Sequence, residues 1–120
     1  FAPNDGKTYV QKDGAWVELD KTVDRYTLKI AATTNGMDLN VQQMYTVDAA
    51  SPRTLVFSNV PPAGRGMTVV VKVKGNAGVI TWPAGIIWSG GAQPILAGTY
   101  TIVVLMWDGA EWTGGAGHSA

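Results

Sequence analysis

The stretch Met67-Thr68-Val69-Val70-Val71-Lys72-Val73-Lys74 (MTVVVKVK) decides the fold. In an extended chain Val69, Val71 and Val73 fall on one side and Val70, Lys72 and Lys74 on the other, which is the two-residue period of a strand with one buried face. Gly75-Asn76-Ala77-Gly78 follows, a run of turn formers, and Val79-Ile80-Thr81-Trp82 then resumes a β-prone composition. The pattern predicts a β-hairpin over residues 67–82 at the centre of the core.

The same signals extend in both directions. Residues 25–31, 37–47 and 54–60 alternate apolar and polar positions, as in Leu28 and Ile30 or Leu39 and Val41. They are bounded by Asn35-Gly36, Ser51-Pro52 and Pro61-Pro62. The density of Thr, Val and Asn argues against a helix over 39–44, where no capping pattern stands out. Residues 83–98, dense in Gly and Pro, predict an ordered loop with one short strand around 86–88. Residues 100–107 predict a long apolar strand that Asp108-Gly109 turns toward 111–113, and residues 114–120 predict a frayed end. Toward the front, 7–10 and 15–19 flank Gln11-Lys12-Asp13-Gly14 as a second hairpin. Its loop length, two, three or four residues, decides whether Tyr9 or Val10 lies across from Trp16. No repeat of 20 to 50 residues is present, which argues against a solenoid. The expected fold is all-β: an antiparallel β-sandwich or jelly-roll-like domain over residues 25–120, preceded by a short β-hairpin and connector over 1–24, with a linker at 20–24.

Composition narrows the function. With 120 residues the chain has the size of one compact domain. Nine basic and nine acidic residues cancel without forming a block, so no electrostatic footprint for nucleic acid or anionic lipid is present. Cysteine is absent, which excludes disulfides, thiolate zinc sites and cysteine nucleophiles. No apolar run approaches the roughly 20 residues of a membrane helix. No basic and apolar leader pattern opens the sequence, and the missing initiator Met leads us to expect a fragment or a processed product. Catalysis is poorly served. His118, the single histidine, stands in the glycine-rich tail, and a general base needs a held geometry. Asp38, Asp48, Asp108 and Glu111 are the carboxylates a glycosidase would draw on, but turns account for Asp48 and Asp108. Gly64-Arg65-Gly66 lacks the context of a phosphate cradle, and Asp5, Asp13 and Asp20 are not spaced as a calcium loop. Neither a catalytic set, a resident metal nor a cofactor is expected.

The positive signal is tryptophan. Trp16, Trp82, Trp88, Trp107 and Trp112 are many for a small domain, and three of them flank Gly- or Pro-rich loops. In one reading the rings cap the core or pack between subunits. In the other they offer flat platforms beside Ser89, Gln93 and Thr113 for the apolar face of a sugar.

Two groups of residues also carry a resemblance. Asp5-Gly6-Lys7-Thr8-Tyr9 followed by Lys12-Asp13-Gly14-Ala15-Trp16-Val17 resembles segments that recur in fibres and other virion appendages of tailed bacteriophages. Ile80-Thr81-Trp82-Pro83, Trp88-Ser89-Gly90-Gly91 with Pro94, Trp107-Asp108-Gly109 and Trp112-Thr113-Gly114 are similar to the C-terminal domains of the same class. Together these pieces span about half of the chain. The resemblance implies a β-rich homotrimeric domain on the outside of the virion, bound to neighbouring virion proteins. Its receptor would lie on the bacterial surface, a polysaccharide or a protein. It carries over no fixed binding motif.

Combined with the residue-level reading, this gives Trp88, Ser89, Gln93, Trp112 and Thr113 as candidate receptor-binding residues. Tyr9, Trp16 and Trp107 are candidates for the trimer interface, where Asp-Gly turns of neighbouring chains would bring rings together. The alternatives are a purely structural trimerisation, head-fibre or decoration unit, and a monomeric carbohydrate-binding module.

Overall fold

The computed structural model describes residues 9–12, 15–18 and 30–120, the first two of these segments by their backbone. Twelve strands follow one another: β1 (Tyr9–Lys12), β2 (Ala15–Glu18), β3 (Ile30–Thr33), β4 (Gly36–Asp38), β5 (Met44–Asp48), β6 (Arg53–Thr54), β7 (Val56–Ser58), β8 (Met67–Lys74), β9 (Ile80–Thr81), β10 (Ile86–Trp88), β11 (Tyr100–Trp107) and β12 (Trp112–Ser119). A single 3₁₀ turn at Ser89–Gly91 is the only helical element among the described residues.

The alternating stretch at 67–74 is a strand, β8, and Val69, Val71 and Val73 are fully buried as its period requires. It does not form a hairpin with the next segment. One edge of β8 pairs in parallel with β5, Met44 facing Val70 and Val47 facing Val73, and the other pairs antiparallel with β11 over all eight residues. A strand has two hydrogen-bonding edges, and both are taken. The chain after Gly78 is held elsewhere: Gly78 N donates to Ala49 O at 2.6 Å and Arg53 N donates to Val79 O at 3.0 Å. A side chain at Gly78 would collide with the backbone of Ser51 and Pro52, so only glycine admits this approach. β9 accordingly pairs in parallel with β6.

β8 lies inside a six-stranded mixed sheet of order β10-β12-β11-β8-β5-β3. The expected antiparallel arrangement is thus corrected, because β3 with β5, β5 with β8, β10 with β12, β4 with β7 and β6 with β9 are all parallel pairs. From β5 the chain passes through β6 and β7 and returns as β8 beside β5, while β4 stacks beside β7 and β6 beside β9. This is a short stacked coil whose crossovers are strands rather than helices. Periodicity misses it because the turns are unequal: Ile30 faces Met44, Gly36 faces Val56 and Arg53 faces Ile80, so no fixed repeat exists.

Two further expectations change. Residues 37–47 are broken by a turn in which the Asp38 carbonyl accepts from Val41 N and Gln42 N and the Asp38 carboxylate accepts from Asn40 N at 3.0 Å. The same carboxylate receives Asn59 Nδ2 at 2.8 Å, which holds Asn59 at a left-handed φ of 56° at the end of β7. The buried Tyr45 hydroxyl lies 2.7 Å from Asp38 O and 3.0 Å from Gln42 O. Burial, and then the Asp38 carboxylate, raise its pKa above the ordinary tyrosine value.

Residues 114–119, expected to fray, belong to β12, which pairs with β11 out to Ser119 and with β10 as far as Gly114, and Ala120 O accepts from Thr99 N at 2.9 Å. Its glycines suit the place: a Cβ at Gly114 would strike Leu105 and Trp88. In the N-terminal hairpin Lys12 faces Ala15, so two residues connect the strands and Gln11, neither Tyr9 nor Val10, lies opposite Trp16. The linker expected at 20–24 lies outside the described residues.

The core fills the space between the inner face of the sheet and the other walls of the coil. Val69, Val71, Val73, Val103, Leu105, Tyr45 and Val47 come from the sheet, and Met37, Leu39, Leu55, Ile80 and Trp82 meet them. Phe57 stacks on Trp112 with centroids 4.4 Å apart. Removing residues 114–120 exposes an edge of β11 and uncovers Leu105; circular dichroism should show loss of the cooperative thermal transition, whereas an end that merely frays would leave it unchanged. Leu105→Ala should keep the fold and cost about 2–5 kcal/mol in denaturant unfolding.

Candidate binding surface

A strand that buries one side leaves the other facing outward, and in this sheet the outward side is largely apolar. Ile30, Met44, Val70 and Val104 form one row across β3, β5, β8 and β11, each opposite the next in register. With strands about 4.8 Å apart the row spans roughly 14 Å. A second row joins Thr68, Met106, Thr113 and Ile87 across β8, β11, β12 and β10. Ile30, Val104, Met106 and Ile87 are exposed, Met106 by 50%. The cause is legible in β11, YTIVVLMW, where Thr101, Val103 and Leu105 are buried while Ile102, Val104 and Met106 alternate on the other face. A strand apolar on both sides leaves apolar surface in water wherever only one side is covered.

A shallow trough of about 360 Å³ lies in this face, bordered by Trp88 and Ser89 at one end and by Ile87, Val104, Met106 and Thr113 along its sides. It exists because Gly115, opposite Val104, supplies no side chain where a Cβ would come within 3.1 Å of Ser89. Three of the candidate residues, Trp88, Ser89 and Thr113, are therefore brought together. The other two are not. Trp112 points to the opposite side of the sheet, 6% exposed, between Phe57 and Trp107, and presents no free platform. Gln93 lies in the loop after the 3₁₀ turn, on a separate trough beside Pro94. Trp88 itself is half-buried, its ring edge-on to Trp82 at 5.5 Å. Of the interface candidates, Trp107 packs partly buried against Trp112, with its Nε1 finding no acceptor among the described residues. The side chains of Tyr9 and Trp16 lie outside the described residues.

The charged end of the same face lies toward the start of β11. Lys72 Nζ sits 4.7 Å above the Tyr100 ring, His118 lies 5.6 Å from that ring, and Asp48 faces Lys74 across β5 and β8. His118 is thus carried by a paired strand, opposite Ile102, and not by a loose tail. Three of the four candidate carboxylates accept from the backbone: Asp38 as described, Asp48 Oδ1 from Ala50 N at 3.0 Å, and Asp108 Oδ1 from Ala110 N at 2.9 Å and Glu111 N at 2.8 Å. Among the described residues no cluster of three His, Cys, Asp or Glu has the arrangement of a metal site. No protein-family model, curated protein or solved structure matches the chain.

Ile87, Val104 and Met106 carry neither a tryptophan nor a loop signal; the unbroken apolar character of 102–106 is the signal in the sequence that points to them. Asp108 provides a test of the turn that leads into β12. Its bonds from the Glu111 and Ala110 amides lower its pKa below the ordinary value of 3.8. A depressed folded-state pKa stabilises above the unfolded value and is lost as pH falls through the folded one. Asp108→Ala should lower the melting temperature at pH 7, and thermal melts should show the gap to the parent chain narrowing below about pH 4.

Proposed function

We propose that the chain is a domain of a tailed-bacteriophage fibre or related virion appendage, assembled as a homotrimer and attached to a bacterial surface receptor, a polysaccharide. The observation that carries the assembly is the outward face of the sheet. In a chain with only 15% charged residues, the apolar row Ile30, Met44, Val70 and Val104 together with the neighbouring Met106 and Ile87 forms a contiguous surface rather than scattered exposed side chains, and such surfaces favour association. The balanced charge, the strand-only architecture and the virion-like turn motifs support the same placement outside the virion, among neighbouring virion proteins and with no role for nucleic acid. No helix among the described residues is long and apolar enough to cross a membrane.

A purely structural role, as a trimerisation, head-fibre or decoration unit, is favoured by one specific observation. Trp82 and Trp112 are buried within a single chain, so of the three tryptophans that flank the Gly- and Pro-rich loops Trp88 alone is partly accessible. Attachment then depends on loops and on Trp88 rather than on a tryptophan platform.

Light scattering across a concentration series should give three times the chain mass of 12.7 kDa. Met106→Lys should shift the particle toward the single-chain mass while keeping the circular dichroism of the parent. A parent chain that stays a monomer at tens of micromolar overturns the trimer and makes a monomeric carbohydrate-binding module the better reading.

A further inference from the structure

A second trough, away from the outward face of the sheet, is built by the two segments that follow β8 and β10. Its volume is about 260 Å³, with Ile80 and Trp82, nearly buried, as its floor. Val79 and Ile95 stand beside it as exposed aliphatic side chains, 68% and 94% accessible, the latter the most exposed large apolar residue among those described. Asn76 and Gln93 bring side-chain amides to the same rim, and neither amide hydrogen-bonds to another described residue. No ionisable residue lines the trough.

The segments that carry these groups are fixed. Ala97 N donates to the buried Thr101 Oγ1 at 2.8 Å, which closes the loop containing Gln93 and Ile95 onto β11. Gly75 N donates to Thr99 O at 2.9 Å, tying the Asn76 turn to the same loop. Val79 is held through its carbonyl by Arg53 N. The two rims therefore meet at a set distance rather than through a chance contact of loose loops, and little ordering entropy opposes ligand binding.

We infer that this trough is a subsite for one pyranose unit of a neutral polysaccharide. Each free amide offers a donor and an acceptor, the combination that vicinal hydroxyl groups match. Aliphatic side chains and an indole suit the C–H face of a sugar ring, and a lining without charge suits a ligand without charge. The subsite rests on the reading of the chain as a glycan-attachment domain and gives it a location distinct from the trough at Trp88, Ser89 and Thr113.

The test is amide NMR on the assigned, full 120-residue chain. It is titrated at millimolar concentration with methyl glycosides of glucose, galactose, mannose and N-acetylglucosamine, with methyl glucuronide as the anionic comparison. At least one neutral glycoside should shift the backbone amides of Gly78, Val79, Ile95 and Leu96 and the side-chain amides of Asn76 and Gln93. Gln93→Ala and Asn76→Ala, both at exposed positions, should each weaken that binding about tenfold, the loss of one good hydrogen-bonding partner, with unchanged melting temperature. Stronger binding of the glucuronide, or unchanged affinity in both variants, overturns the subsite. Shifts confined to Ser89, Thr113 and Gly115 overturn it while leaving glycan attachment in place. No shift with any glycoside removes the subsite and the polysaccharide reading together. Binding at this trough by a chain that scatters as a monomer keeps the subsite and removes the trimeric fibre.

Discussion

The double pairing of β8 is the constraint on which the rest of the structure depends. A strand at the centre of a sheet must satisfy the hydrogen-bonding groups of both edges, and β8 does so with partners of opposite direction, β5 in parallel and β11 antiparallel. The parallel partner forces the chain between 49 and 66 to travel around the molecule before it returns, and that excursion becomes β6, β7 and their connections. The antiparallel partner closes the second half of the sheet, with β12 and β10 beyond it. Burial of Val69, Val71 and Val73 on one side then places the core, at about 1.5–3 kcal/mol for each such side chain fully removed from water.

The two faces of this sheet divide the apolar residues of the chain. The inner face takes the valines, Leu105 and the stacked pair Phe57 and Trp112, and the coil wall brings Trp82 against Trp88. The outer face keeps Ile87, Val104 and Met106 in contact with solvent in the single chain. Among the described residues most rings thus stabilise the fold, and the large apolar side chains left exposed on the outer face are aliphatic.

Part of the candidate surface was legible before the fold was known. Trp88, Ser89 and Thr113 are distant along the chain, yet β10 lies beside β12 with Ile87 facing Thr113 and Trp88 facing Gly114, so a parallel pairing gathers them. Alternation turns Trp112 toward the core and, opposite Gly114, Trp88 as well, so Trp88 meets the trough only at its end. No turn signal reveals this parity; it follows from which residue begins the strand. The Gly and Pro density of 83–98 is enough to put Gln93 in a loop, but its neighbours Asn76 and Val79 come from the turn after β8, and their meeting depends on the bonds of Thr99 and Thr101.

The sequence by itself determined the β architecture, the alternation in β8 and β11, and the turns at Gly75 and Asp108, because these depend on side-chain period and on local backbone bonds that a few neighbouring residues settle. Strand direction and partner were decided by the tertiary structure. Gly75 to Gly78 is a competent hairpin turn, and it loses to a pairing with β11 that aligns eight residues and buries Thr101, Val103 and Leu105 beside the valines. Glycines 114, 115 and 117 resemble a loose end in the sequence. Gly114 and Gly115 become part of a paired strand because bare backbone fits against Leu105, Trp88 and Ser89 where side chains would not, and closeness of that kind exists only between segments far apart in the chain.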